Sequence, residues 1–296
     1  MKRRAYGRDL GLSLRMLATT GLLGLLYVVF ALVLFYVLDA GIVLMAVIVG
    51  ALALFQYYTS DKIALAASGA RVVEPDQAPE LHAMVERLCA MADLPKPRVA
   101  VIPTDMPNAF ATGRSPKHSA VAVTEGLWRR LEPREVEGVL AHELSHIANR
   151  DVLVMTLASF FAMLAGMLTR MGMWGGMMGG GRNRDGGAPV WLIVVAVSIL
   201  TYVLSFILIR TISRYREYSA DRGAALITGA PENLMSALQK ISSGIAQIPQ
   251  RDLRQVEAMN AFFIVPGLKE LFSTHPPMEK RLARLAQIAR EMGRPV

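Results

Sequence analysis

His142-Glu143-Leu144-Ser145-His146 lies near the middle of the chain, in a stretch that predicts an α-helix over residues 133–149. Two histidines four positions apart fall on the same face of a helix, so they can bind one metal ion together. The glutamate after the first histidine then lies beside that ion, where it can take a proton from water. The stretch therefore predicts a helix that carries a catalytic zinc site.

The sequence on either side of the motif predicts the structural setting of this helix. Pro133 suits a first helical turn, and apolar residues then recur along one face. An earlier helix is predicted from Pro79 to about Ala92. Three short stretches between the two helices are typical of strands: residues 98–102, 108–112 and 120–124. They predict a small sheet that is antiparallel in part.

The chain is too apolar for an ordinary soluble protein. Hydrophobic residues make up 53% of its 296 residues and charged residues 19%, with a mean hydropathy of +0.36. Four segments carry no charged side chain and approach the roughly 20 apolar residues that a membrane-spanning helix needs. They are residues 16–38, 40–60, 152–169 and 186–209. A soluble protein with four buried helices is the alternative, but so short a chain offers little room to bury them.

Lysine and arginine are unevenly distributed around these segments. Eleven lie in residues 59–151, thirteen in residues 210–296 and four in residues 1–8. Positive residues favour the cytoplasmic side, so all three regions are predicted to face the cytoplasm. Basic residues at such places also suit anionic lipid, so the net charge of +8 does not indicate nucleic-acid binding.

The alternation of apolar and polar segments predicts five regions in the chain. They are a cytoplasmic tail (1–15), a transmembrane hairpin (16–60), the first part of a cytoplasmic domain with the motif helix (61–151), a transmembrane pair (152–209) with a Gly/Met-rich loop (172–189), and the second part of the cytoplasmic domain (210–296). The loop is predicted to be mobile and to lie on the far side of the membrane. A helix-packing role for its glycines is the less favoured alternative, because consecutive glycines disfavour helix.

A catalytic zinc site usually has three protein ligands, so the two histidines need a partner. The single cysteine, Cys89, falls in an apolar stripe typical of a buried structural thiol, and His82 and His118 suit solvated positions. Glu217 is the better candidate, on a helix that continues from the fourth apolar segment. Asp221, one turn later, has the chemistry to orient a ligand histidine. On spacing alone, both carboxylates could equally form a solvated helix face paired with nearby arginines.

Four stretches together carry a family resemblance that spans nearly the whole chain. They are Asn108-Ala109-Phe110-Ala111-Thr112-Gly113, the motif with Asn149 and Asp151 behind it, Arg216-Glu217-Tyr218-Ser219-Ala220-Asp221, and Thr274-His275-Pro276-Pro277 with Arg281. In this order the chain resembles the HtpX family of bacterial membrane zinc metalloproteases, which is related to the eukaryotic CaaX prenyl endopeptidases. The resemblance implies a mainly α fold: four transmembrane helices plus a cytoplasmic α+β zincin-type (gluzincin) domain with a small β-sheet.

The resemblance also implies a role for each residue of the site. His142, His146 and Glu217 would bind one Zn²⁺ ion, Glu143 would be the catalytic base, and Asp221 would orient a ligand.

A further set of residues would bind and stabilise the substrate. In related enzymes a histidine and an arginine six positions later stabilise the transition state, and His275 and Arg281 hold that spacing. From the sequence alone, His275 could equally cap a helix. A strand over residues 108–112 could pair with an extended peptide. Its candidate substrate-binding residues are Asn108, Ala109, Phe110 and Ala111.

The expected function is that of a zinc endopeptidase in the bacterial inner membrane, with its active site on the cytoplasmic side. The resemblance implies polypeptide substrates, namely cytoplasmic segments of misfolded or damaged membrane proteins, and contact with the lipid bilayer. A CaaX-type prenyl-protein endopeptidase is one alternative, although those enzymes resemble a larger chamber of seven spans. A non-catalytic membrane scaffold with a structural zinc is another, but such sites have four protein ligands and no use for a base at Glu143.

Overall fold

The structure is a computed structural model that describes residues 10–38, 42–178, 190–246 and 276–294. The chain divides into two compact units. We call them the sheet unit, which contains Thr59–Leu153 and the described residues of Ser213–Val296, and the apolar unit, which contains the described residues of Leu10–Tyr58 and Val154–Ile212. Several helices pass from one unit to the other along the chain.

The described residues are mainly helical, as predicted, with one small sheet. In chain order the elements are α1 (Leu10–Leu38), α2 (Ile42–Ala67), β1 (Arg71–Val72), α3 (Pro79–Ala92), β2 (Arg98–Ile102), β3 (Ala109–Ser115), β4 (His118–Thr124), α4 (Glu125–Arg130), α5 (Pro133–Ala148), α6 (Asp151–Met178), α7 (Val190–Thr228), α8 (Pro231–Ala246) and α9 (Met278–Glu291).

The sheet is mixed and has the strand order β1-β2-β4-β3. Strands β2 and β4 pair in parallel, with Val99 opposite Val121, and β3 and β4 form an antiparallel hairpin, with Ala109 opposite Val123. The sequence predicted that this strand ends at residue 112, but β3 continues to Ser115. Gly113 has φ +139°, and a Cβ there would lie 2.4 Å from the carbonyl oxygen of His118, so this glycine marks an irregularity inside the hairpin rather than its end.

The core of the sheet unit is built by α3, α5 and α8 against the sheet. Leu88, Val121, Leu140 and Leu238 are all at most 1% exposed. Cys89 is buried in this core, as its apolar stripe predicts.

The expectation of a solvated His82 is wrong. The residue is buried, and its Nε2 lies 3.0 Å from the carbonyl oxygen of Val73. The chain before α3 folds back over this face of the helix and covers the imidazole.

Two helices in the described part of the chain are long and apolar enough to cross a membrane, Gly11–Tyr36 and Leu192–Thr228. Many of their large apolar side chains are exposed, including Leu17 at 71% and Leu200 at 58%, which suits contact with lipid. The other two predicted spans fall in α2 and in α6, whose apolar stretch Val154–Arg170 is shorter. That these two also cross a membrane stays a prediction.

The helix α6 extends further than the sequence indicated. The predicted loop over residues 172–189 is wrong for residues 172–178, which are helical, and residues 179–189 lie outside the described residues. A helix that is already formed gains a backbone hydrogen bond with each added residue. This gain offsets the roughly 1 kcal/mol that each glycine costs in a helix.

Candidate metal centre

The motif helix α5 is held at its start and along its side. Its first residue is Pro133, and the Glu135 carboxylate accepts the backbone N–H of Glu132 at 2.8 Å. Gly138 lets α8 approach closely, since a Cβ there would lie 2.8 Å from the backbone nitrogen of Leu234. The helix is thus fixed in position before it reaches the histidines.

Three side chains converge on one point. The Nε2 atoms of His142 and His146 lie 3.2 Å apart. The Glu217 carboxylate lies 3.5 Å from Nε2 of His142 and 3.4 Å from Nε2 of His146. Zinc binds such atoms at about 2.0–2.2 Å, and at that distance two corners of a tetrahedron lie about 3.3 Å apart. The three separations therefore fit a tetrahedral zinc site with one corner left for water or substrate.

The helix α7 brings the third of these groups to the cluster. It runs without interruption over Val190–Thr228, so the expected continuation from the fourth apolar segment is observed. Glu217 is 5% exposed and Asp221 is fully buried. The alternative of a solvated helix face is therefore wrong for both carboxylates.

Asp221 lies behind His142. Its Oδ1 is 3.0 Å from Nδ1 of that histidine. Arg281 from α9 binds the same carboxylate through Nε at 3.0 Å and Nη2 at 2.6 Å, and its Nη1 lies 3.4 Å from Oε2 of Glu217. The residue that the resemblance assigns to the transition state is thus engaged with two carboxylates of the cluster.

An equivalent arrangement behind His146 was not assigned from the sequence. Nδ1 of His146 contacts Oδ2 of Asp151 at 2.7 Å, and Oδ1 of Asp151 pairs with Nε of Arg216 at 2.9 Å. The sequence signal was weak, because Asp151 lies five positions after His146 and such spacing places two residues on different sides of a continuous helix.

The charges of the buried cluster also fit a divalent cation. Four carboxylates (Glu143, Asp151, Glu217 and Asp221) face two guanidinium groups (Arg216 and Arg281), and all six side chains are at most 6% exposed. With neutral histidines the cluster carries a net charge of −2. Because uncompensated charge is costly inside a protein, a Zn²⁺ ion suits this donor set by charge as well as by geometry.

Glu143 is buried next to the histidines. Burial raises the pKa of its carboxyl group, and the Glu217 carboxylate raises it further, whereas His142, His146 and the backbone N–H of Ala111 in β3 act in the opposite direction. The hydrogen bond to Ala111 ties the motif to the sheet.

The two histidines and Asp221 also have shifted pKa values. Burial disfavours the charged imidazolium, but Asp221 and Glu217 outweigh it and raise the pKa of His142. Asp151 and Glu217 do the same for His146, whose pKa rises to about 10. Burial alone would raise the pKa of Asp221, but the charge of Arg281 lowers it. The carboxylates thus create a negative electrostatic potential at both imidazoles.

Strand β3, which contains most of the predicted substrate-binding residues, is an edge strand of the described sheet. Asn108 lies just before it and is buried; its backbone N–H donates to the Thr124 hydroxyl, and its carbonyl oxygen accepts the backbone N–H of Thr124. Ala109 and Phe110 are also buried, and Ala111 is half-buried. His275 lies outside the described residues, so only Arg281 of the predicted pair has a known position.

Comparison with known proteins gives consistent matches along the chain. Residues 75–289 match the model of Peptidase family M48. The chain is 53% identical to a "Protease HtpX homolog" of Moorella thermoacetica, with 98% of both chains covered. It is 51% identical to "Protease HtpX homolog 2" of Methanosarcina acetivorans, with 98% of this chain and all of that one covered.

The fold is similar to that in the crystal structure of S. mikatae Ste24p, with a TM-score of 0.54 and 20% identity. The alignment covers 88% of this chain and 62% of that one, so this likeness concerns the fold alone.

A helix with two metal-facing histidines, a glutamate between them and a third carboxylate from another helix define a metallopeptidase site of the H-E-x-x-H type. Apolar helices with exposed side chains accompany that site in the same chain. The chain belongs to Peptidase family M48. It is a membrane metalloprotease, and its substrates are polypeptides.

Proposed function

We propose that the protein is a zinc endopeptidase of the inner membrane that cleaves cytoplasmic segments of membrane proteins, including misfolded or damaged ones. The observation that carries this proposal is the convergence of two Nε2 atoms and one carboxylate within 3.2–3.5 Å of one another, beside a buried glutamate. This arrangement offers three ligands and a base, which is what metal-assisted peptide hydrolysis requires.

His142, His146 and Glu217 are the proposed ligands, and Glu143 is the proposed base. A zinc ion held there supplies Lewis acidity, which polarises the peptide carbonyl and makes water more acidic. The Glu143 carboxylate accepts the proton of the attacking water and then passes it to the leaving amine. Its burial in the sheet unit excludes bulk water, and its hydrogen bond from Ala111 holds it in place.

Arg281 has two proposed contributions. Its Nε and Nη2 atoms hold Asp221, and that contact in turn supports His142. Its Nη1 lies on the side of Glu217, where a positive charge favours the developing oxyanion of the substrate. His275 is proposed to assist there, on the basis of the resemblance alone.

Substrate binding is proposed along β3, the edge strand of the described sheet. An extended peptide can add to an edge strand through backbone hydrogen bonds, which makes recognition broad in sequence. The start of this strand lies beside Glu143, since the backbone N–H of Ala111 donates a hydrogen bond to that carboxylate. A peptide paired with β3 therefore runs beside the base.

The membrane topology belongs to the proposal as well. The proposal retains all four predicted spans, with the N-terminus and the residues of the sheet unit on the cytoplasmic side. Support comes from the Lys/Arg distribution and from α7, in which one uninterrupted helix contains both a candidate span and Glu217. A site on the same helix as a membrane span suits substrates that are themselves in the membrane.

The substrate class is tested with the full-length enzyme, purified in detergent and loaded with zinc. It is offered an unfolded membrane protein and, separately, a prenylated peptide ending in a CaaX sequence. We expect cleavage of the first at several positions and no cleavage in the Glu143→Ala variant. Cleavage of the prenylated peptide alone would replace the proposal with a CaaX-type activity, and bound zinc without cleavage of either would favour a scaffold.

A further inference from the structure

The two predicted ligand histidines are supported by matching sets of side chains. Behind His142 lie Asp221 and Arg281, and behind His146 lie Asp151 and Arg216. In each set a carboxylate oxygen meets Nδ1 of the histidine, at 3.0 Å and 2.7 Å, and an arginine pairs with the same carboxylate. The sequence predicted an orienting role for Asp221 only.

A break between two helices brings Asp151 to His146. In a continuous helix, a residue five positions later points roughly 140° away around the axis. Here α5 ends at Ala148, Arg150 has a left-handed φ of +57°, and α6 begins at Asp151. The turn returns the carboxylate to the imidazole at hydrogen-bonding distance.

Arg216 offsets the free-energy cost of burying the Asp151 carboxylate. Asp151 is 2% exposed, and a carboxylate at such a position without a cation is costly. The guanidinium of Arg216 is itself buried, with Nε 2.9 Å from Oδ1, while Oδ2 contacts the imidazole. Arg216 directly precedes Glu217 in α7, so a single turn of this helix supplies both the third ligand and the cation behind the second ligand.

We infer that Asp151 and Arg216 form a positioning pair that holds His146 with Nδ1 bound to carboxylate and Nε2 directed at the metal. A histidine ligand with such a partner keeps one tautomer and one ring orientation, and it is a better donor. The inference rests on the proposed function, because it takes His146 as a ligand. It adds a residue from α6 and a residue from α7 to the residues that determine metal affinity.

The test measures metal binding by the full-length protein rather than activity alone. Zinc affinity is measured by competition with a chelator, and the visible spectrum of the Co²⁺-substituted protein reports the ligand geometry. We expect Asp151→Asn to weaken zinc binding about 10–100-fold and to alter the Co²⁺ spectrum. The matched control is Asp105→Asn, because Asp105 is an exposed aspartate that pairs with Arg129; it should leave both readouts unchanged.

Arg216 gives a second pair of variants, which decides the question if Asp151→Asn does not fold. We expect Arg216→Gln to weaken zinc binding and Arg216→Lys to restore part of the affinity, because lysine keeps the charge but loses the geometry of the guanidinium. Zinc affinity equal to wild type in all folded variants, with an unchanged Co²⁺ spectrum, would overturn the inference. So would an equal loss of thermal stability with and without metal at unchanged affinity, since that result indicates a structural role only.

His146→Ala separates failure of this inference from failure of the proposed function. If His146→Ala loses zinc while Asp151→Asn retains it fully, the positioning pair is wrong and the ligand set stands. If the wild-type protein binds no zinc, or if His146→Ala binds it as tightly as wild type, the ligand set and the inference both fail.

Discussion

The Nε2 atoms of His142 and His146 face each other at 3.2 Å. Each ring is turned this way because a carboxylate lies at its Nδ1. The helix α5 thus presents two ligand atoms already aligned toward Glu217.

Removal of the third ligand should abolish tight metal binding. We expect Glu217→Ala to weaken zinc binding by more than about 100-fold, beyond the range found for residues that only support a ligand. The control is Glu86→Ala, since Glu86 is exposed and pairs with Lys96. Chelator competition measures both variants, and wild-type affinity in Glu217→Ala would exclude Glu217 from the ligand set.

Removal of the metal should stop cleavage and lower the melting temperature together. The ligand side chains are buried in the folded protein, and a metal ion that binds only the folded state stabilises it. Cleavage and thermal unfolding are measured after dialysis against a chelator and again after metal is returned. Zn²⁺ and Co²⁺ should restore both, whereas Mg²⁺ should not, because imidazole ligands do not suit it.

Close packing of α5 against α8 should make Gly138 intolerant of a methyl group. A Cβ there would lie 2.8 Å from the backbone nitrogen of Leu234, which cannot move aside as a side chain can. We expect Gly138→Ala to lower the free energy of unfolding by about 1–3 kcal/mol. Gly24→Ala is the matched control, since no atom of the described residues lies within 4 Å of a Cβ at that helical position, and it should not destabilise. Equal melting temperatures for wild type and Gly138→Ala would argue against this packing.

Stability should depend on pH through Glu135, at the start of α5. Burial would raise the pKa of its carboxyl group, but hydrogen bonds from Lys240 and Ser236 outweigh burial and lower it. The folded-state pKa therefore lies below the unfolded value of about 4.3. The carboxylate then contributes stability that is fully present above that pH and is lost as the pH falls through the folded pKa.

The measurement for Glu135 compares unfolding of wild type and Glu135→Gln at pH 7 and at pH values below 4. The wild type should be the more stable at pH 7, and the difference should shrink on acidification. Glu86→Gln, at an exposed position, is the control. A difference that stays constant with pH would show that the Glu135 carboxylate has no such role.

The sequence was most informative where local pattern determines structure. Helix α5 was predicted over residues 133–149 and is observed over Pro133–Ala148, because proline, acidic residues and an apolar stripe agree there. The sequence also indicated that α7 continues past the fourth apolar segment to Glu217, which the structure confirms. The buried positions of Glu217 and Asp221 depend on other helices that pack around them. Spacing alone therefore could not distinguish a role in the metal site from a solvated helix face.

The residues that the sequence did not resolve depend on turns and on distant partners. Asp151 reaches His146 only through the left-handed turn at Arg150, and no residue in that turn signals the conformation. His82 is covered by the segment at Val73, which has no strong pattern of its own. The predicted strand ended before Gly113, but β3 continues through this glycine with an irregularity in its pairing with β4.

The central claim is that Glu143 is the base of a zinc site formed by His142, His146 and Glu217. A comparison of two proteins tests it. Zinc content and the rate of cleavage of an unfolded membrane protein are measured on wild type and on Glu143→Gln, which keeps the shape and removes the charge. The account predicts one zinc per chain in both proteins and a cleavage rate reduced by about 10²–10⁴-fold in the variant. A zinc-loaded Glu143→Gln protein that cleaves at the wild-type rate would contradict it.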